Sequence, residues 1–125
     1  MRLLLDTQIF LWSVADDPRL SAKARQLILD AEDVCVSSAS ICEASIKAGL
    51  GKLDVDVNLL VAEIHASGFL ELPVRAVHAA MVRDLPEIHR DPFDRLLVAQ
   101  ALCEPLRLMT CDGHLSKYTD LVITV

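Results

Sequence analysis

The chain has 125 residues, 53% hydrophobic and 24% charged, with a formal net charge of −6. That balance excludes a disordered polar tail and suits one folded domain, residues 1–125, with a substantial core. The acidic excess disfavours broad electrostatic binding to nucleic acid, but acids neutralised by a cation can still meet a phosphate at a local site.

In chain order, "RLLL" (2–5) is a short strand candidate that ends at Asp6. Asp6 also interrupts the leucines too early for a secretion signal, and no apolar run approaches the ~18 residues of a membrane span. "TQIFLWSVA" (7–15) suits a helix broken by "DDPRL", and Ser21 suits the N-cap of a helix to Asp30. "VCVS" (34–37) is a second strand, and "SICEASIKAGL" (40–50) a helix ended by the Gly49/Gly51 pair. A helix over 58–67 stops at Gly68, and "FLEL" (69–72) is a short strand. Pro73 opens a helix to about Arg83, and a loop leads to a helix over 92–104. "LRLMT" (106–110) and "LVITV" (121–125) are the last strands.

Strands alternating with helices predict an α/β fold with a mainly parallel sheet. Such sheets bind ligands outside the carboxyl ends of their strands, where the strand order reverses. Asp6 and Asp112 each follow an apolar strand. Cys35, Cys42, Cys103 and Cys111 lie in apolar stretches without C-x-x-C spacing. They read as buried free thiols of a reducing, cytoplasmic protein. His65, His78, His89 and His114 show no zinc-binding spacing.

Each candidate acid has a structural explanation beside a functional one. Asp6 suits a helix cap. Ser40 and Glu43 have the S-x-x-E spacing of a capping box, and Lys47 stands four residues after Glu43. Asp91 before Pro92 suits an N-cap, and Asp112 before Gly113 suits a turn. Asp94 falls where an acid complements the helix dipole. At 100° per residue, however, Val98 lies about 40° and Ala101 about 20° from it, so Asp94 points along an apolar face. A carboxylate there needs a partner, a proton or a metal. Four acids gathered at one end of a sheet repel one another, and an oxygen-only ligand set selects Mg²⁺ or Mn²⁺.

The motifs "LLLDT", "SASICEASIKAGLGKL", "HRDPFDRLLVAQAL" and "LMTCDGHL" together span nearly the whole chain. In them the chain resembles the PIN-domain ribonucleases, specifically the VapC-like toxins of bacterial toxin–antitoxin pairs. "HRDPFDRLLVAQAL" is the most specific match, with Asp94 followed by Ala99 and Ala101 at the family's spacing. Gln8 and Cys42 depart from the histidine and tryptophan of close relatives.

The resemblance implies a three-layer PIN-like fold with helices around a parallel sheet. It also implies a homodimer, inhibition by a small cognate antitoxin, and an RNA substrate. Asp6, Glu43, Asp94 and Asp112 would be both the catalytic and the metal-holding residues, taking Mg²⁺ or Mn²⁺. Water activated there would cleave RNA internally, leaving 5′-phosphate and 3′-hydroxyl ends. Thr7 and Thr110 could hold carboxylates or water, and Asp91 could support the site from behind. Lys47, Arg90 and Arg95 could touch phosphate, although a solvated charge or ion pair is the stronger explanation of each. Ile9, Phe10, Leu11 and Trp12 could line an antitoxin groove or pack in the core.

Three other readings compete. A haloacid-dehalogenase-like phosphatase needs D-x-D, and Gln8 stands at its third position. A receiver-like phospho-acceptor needs adjacent acids near its first strand and a lysine after its last core strand. A non-catalytic PIN-like binding module is disfavoured by the complete set of four acids.

Overall fold

Leu3, Leu4 and Leu5 are all 0% exposed, so the strand they form is covered on both faces. A computed structural model describes residues 1–125. Strand β1 (Arg2–Leu5) is followed by helices α1 (Thr7–Ala15) and α2 (Ala22–Asp30), and then by β2 (Asp33–Ser37). Helices α3 (Ser38–Gly49) and α4 (Val57–Ala66) precede β3 (Leu70–Leu72). Helix α5 (Ala76–Met81) runs into a 3-10 turn at Val82–Asp84. Helix α6 (Pro92–Cys103), β4 (Arg107–Thr110), a 3-10 turn at Gly113–Lys117 and β5 (Val122–Thr124) complete the chain.

The five strands lie in the order β3-β2-β1-β4-β5, and every pairing is parallel. Alternate side chains of β1 serve opposite faces, as strand geometry requires. Leu3 and Leu5 join Val34 and Val36 of β2, Ile9 and Phe10 of α1, Ala44 of α3, and Leu60 and Ile64 of α4. Leu4, Cys35 and Leu108 meet Leu97, Val98 and Ala101 of α6 on the other face. The result is the expected sandwich of helices around a parallel sheet.

Local chemistry sets the helix starts. Ser21 accepts from the Ala24 N–H at 3.1 Å, and Asp56 accepts from the N–H groups of Asn58 and Leu59. Gly68 takes φ +78° just beyond α4, a conformation that glycine adopts freely.

Two expected helix starts move by two residues or more. Helix α3 begins at Ser38, capped by Ser37, whose Oγ accepts from the Ala39 N–H at 3.0 Å. Ser40 is therefore inside the helix, and the Ser40–Glu43 capping box does not form. Helix α5 begins at Ala76 rather than at Pro73, because the preceding backbone is used elsewhere. The Val74 N–H donates to Ser38 Oγ, and the Pro73 carbonyl accepts from Gln100 Nε2. Ile9 and Phe10 are 0% and 1% exposed, so both are core and line no groove. All four cysteines are free thiols; Cys35 is buried, but Cys42 and Cys111 are exposed. No helix is long and apolar enough to cross a membrane.

Candidate functional site

The chain leaves β1 toward β2 and β3, then returns to place β4 on the other side of β1. The strand order therefore reverses between β1 and β4, where parallel sheets open a crevice at their carboxyl ends. Asp6 follows β1 directly, and Asp112 lies two residues beyond β4. Asp6 is 6% exposed and caps α1, with Oδ1 accepting from the Ile9 N–H at 2.8 Å. Its Oδ2 accepts from the buried Thr110 hydroxyl at 2.5 Å. The same Thr110 oxygen accepts from the Asp112 N–H at 3.0 Å. One hydroxyl thus ties the two strand-end acids together.

Helices α3 and α6 bring further acids to the crevice. Glu43, 8% exposed, sits one turn into α3, and its Oε2 accepts from Lys47 Nζ at 2.7 Å. Asp91 caps α6, with Oδ1 accepting from the N–H groups of Phe93 and Asp94 at 2.8 and 3.1 Å. That cap orients the first turn of α6, from which Asp94 projects. Asp6, Glu43, Asp91, Asp94 and Asp112 line one pocket of about 330 Å³, together with Lys47 and Lys52. Gln8 and Cys111 also face it.

Crowding and burial show in the protonation of these acids. Burial pushes the Asp94 carboxyl up to about 7, with Asp91, Asp6 and Glu43 adding to the rise and His89 opposing it. Burial also pushes Asp6 up to about 6, against the pull of its hydrogen bonds from Thr110 and Ile9. Asp112 lies below its ordinary range because the His114 N–H donates to it.

The four acids singled out in the sequence therefore share a pocket, but not at one common distance. The tightest group is His89, Asp94 and Asp112, with potential ligand atoms within 4.8 Å of one another. Asp6 and Glu43 line the same pocket outside that group. Thr110 contacts a carboxylate, whereas the Thr7 hydroxyl donates to Ser40 Oγ at 2.9 Å and so fastens α1 to α3. Arg95 turns its guanidinium away from the acids, onto the carbonyls of Val82, Leu85, Pro86 and His89. It serves the loop before α6.

His89, Lys52 and Cys111 were not singled out for this site by sequence. His89 has a local signal, since it stands two residues before the cap Asp91. Its contact with Asp112 is visible only in the fold.

A five-stranded parallel sheet with helices on both faces, and acids at its point of reversal, defines an α/β class of protein with an acidic crevice. The family model described as PIN domain matches residues 3–121, and the chain belongs to that family. A relative named Ribonuclease VapC22, from Mycobacterium tuberculosis, is 29% identical over 121 residues, covering 93% of this chain and 91% of that protein. The fold is similar to that of VapBC2 from Rickettsia felis, solved bound to a DNA fragment from the promoter. The TM-score is 0.72 at 16% identity, over 100% of this chain and 99% of that one. It is also similar to a toxin-antitoxin complex from Klebsiella pneumoniae, with a TM-score of 0.67 at 17% identity, over 98% and 96% of the two chains.

Proposed function

We propose that this chain is a metal-dependent RNA endonuclease and the toxin component of a toxin–antitoxin pair. The observation that carries the proposal is the set of five carboxylates in one pocket, two of them with proton affinities raised to about 6 and 7. Carboxylates so arranged are short of compensating charge, and a divalent cation supplies it. The donors offered are carboxylate oxygens, which fit Mg²⁺ or Mn²⁺. Asp6, Glu43, Asp94 and Asp112 are the residues that would hold the ion, directly or through water. A bound ion of this kind polarises a phosphate oxygen and lowers the pKa of water beside it.

The protein's own groups do the positioning. Thr110 fixes Asp6 and Asp112, the Asp91 cap fixes the start of α6, and Lys47 and Lys52 at the rim offer positive charge to a phosphate. Similarity to the Mycobacterium ribonuclease supports the ribonuclease reading, and similarity to the Klebsiella toxin-antitoxin complex supports an antitoxin partner. Exposed apolar side chains on and just beyond α3 and on α4, namely Ile46, Leu50 and Leu59, are consistent with a covered face such as a homodimer or an antitoxin would provide. The four free thiols suit the cytoplasm.

Cleavage of RNA by purified protein with Mg²⁺, with EDTA, and by Asp94→Asn tests the proposal. Asp56→Asn, which replaces an acid cap outside the pocket, is the control. The expected result is cleavage abolished by EDTA and by Asp94→Asn but kept by Asp56→Asn. Full cleavage by Asp94→Asn would overturn it.

A further inference from the structure

His89 stands within reach of two candidate metal-holding acids, so its imidazole could be taken for a ligand. Its hydrogen bonds argue otherwise. The backbone N–H of Asp91 donates to His89 Nδ1 at 3.0 Å. A backbone N–H can only donate, so Nδ1 carries the lone pair, and the proton of the neutral ring sits on Nε2. That nitrogen faces Asp112 Oδ2 at 3.2 Å and Asp94 Oδ2 at 3.5 Å. A histidine that binds a metal presents a lone pair to it and donates its other N–H to a neighbour. His89 has the opposite arrangement.

The backbone of His89 is equally constrained. Its N–H donates to the Tyr118 hydroxyl at 2.8 Å, and its carbonyl accepts from that hydroxyl at 3.3 Å. Arg95 Nη1 donates to the same hydroxyl at 3.2 Å. The hydroxyl thereby uses its one proton and both lone pairs. The ring is therefore held over the acids by contacts that leave it one orientation and one tautomer.

We infer that His89 is a positioning residue of the acidic centre, a tautomer-locked donor that hydrogen-bonds Asp112 and stands against Asp94, holding the two in register without being a ligand itself. This rests on the metal reading proposed above. The donor lets the two acidic side chains share one crevice while leaving Asp94 Oδ1 free; Asp112 Oδ1 accepts from the His114 N–H at 3.0 Å. It also keeps the ligand set all-oxygen, which favours Mg²⁺ and Mn²⁺ over softer ions.

The experiment has a metal-free arm and a Mn²⁺ arm. In the first, side-chain ¹⁵N spectra of wild-type protein near pH 8 should show Nε2 of His89 protonated and Nδ1 unprotonated. A protonated Nδ1 overturns the inference. In the second, pulsed EPR of the Mn²⁺-loaded protein should show no directly coordinated imidazole nitrogen. Mn²⁺ affinity should fall roughly 10–100-fold in His89→Ala, the loss usual for removing a group that orients a ligand. His89→Gln, which keeps an N–H donor, should restore most of it. A nitrogen signal that vanishes in His89→Gln, or equal losses in both variants, overturns the inference alone. Absence of Mn²⁺ binding by wild type overturns the metal reading and the positioning role together.

Discussion

Thr110 and Asp6 lie 104 positions apart, yet the Thr110 hydroxyl donates to the Asp6 carboxylate at 2.5 Å, both groups being buried. Because the same hydroxyl accepts from the Asp112 N–H, it is the joint between the two strands that flank the crevice. Thr110→Val keeps the shape and deletes the joint. The Thr110 hydrogen bond is the strongest influence holding the Asp6 carboxyl down, so Asp6 should titrate above its present value of about 6. Leaving both partners short of a hydrogen bond should cost about 1–3 kcal/mol. Carboxyl ¹³C titration and urea unfolding measure the two effects. An unchanged Asp6 titration would show the joint to be idle.

The raised acids also set a pH dependence. An aspartate in the unfolded chain titrates near 3.9, whereas folded Asp6 and Asp94 titrate at about 6 and 7. Between these values the folded protein holds protons that the unfolded chain has released, so stability falls as pH rises. The contribution is fully present below about pH 4 and is lost as pH passes through about 6 and then about 7. Metal-free Asp94→Asn should therefore have a flatter curve and gain on the order of 1 kcal/mol over wild type at pH 8, after allowance for solvent screening. Urea midpoints for both proteins from acid to mildly alkaline pH provide the comparison. Parallel curves would contradict the raised Asp94. With Mg²⁺ present, wild type should regain stability at high pH, because the ion then competes with fewer protons.

Arg95 is the test of the loop before α6. Its planar fork satisfies four carbonyls and the Tyr118 hydroxyl, a geometry that an ammonium cannot reproduce. Arg95→Lys should keep the charge yet expose residues 82–90 to faster amide exchange, with a stability loss of roughly 1–3 kcal/mol. Hydrogen exchange resolved by residue gives the answer. Unaltered protection across 82–90 would show that the loop is held by other contacts.

Asp91 separates capping from charge. Asparagine can cap a helix as aspartate does, so Asp91→Asn should lose only a few tenths of a kcal/mol, whereas Asp91→Ala should lose about 0.5–2 kcal/mol. Thermal unfolding of the two variants in metal-free buffer measures the difference. Equal losses would mean that charge rather than the hydrogen-bonded cap stabilises the start of α6.

Where pattern and local chemistry agree, the structure was legible from residues alone. "LLL" before Asp6 announces an apolar strand, and "RDPF" announces the cap and first turn of α6. Asp94 was separable from Asp91 because the apolar face of α6 could be counted out by angle. The start of α3 was harder to place, because β2 passes into the helix without a loop and Ser37 serves as both strand end and cap. The start of α5 depended on Ser38 and Gln100, distant groups that occupy the backbone around Pro73. Arg95 neighbours Asp94 in sequence, but adjacent helical residues point about 100° apart, and its hold on the loop carbonyls is visible only in the fold. His89 gave no metal spacing to read, since its contact with Asp112 spans 23 positions and exists only once the sheet is assembled.

The central place of β1 has a consequence for how the protein is made. This strand leaves the ribosome before the rest of the sheet, yet one of its two neighbours, β4, is made only after β2 and β3. Until residues 107–112 have been synthesised, Asp6 lacks its threonine and the crevice lacks a wall. A nascent or truncated chain therefore has no assembled acidic centre. Closing this long-range pairing is the slow, entropically costly kind of step, and it delays assembly of the centre until β4 has been made.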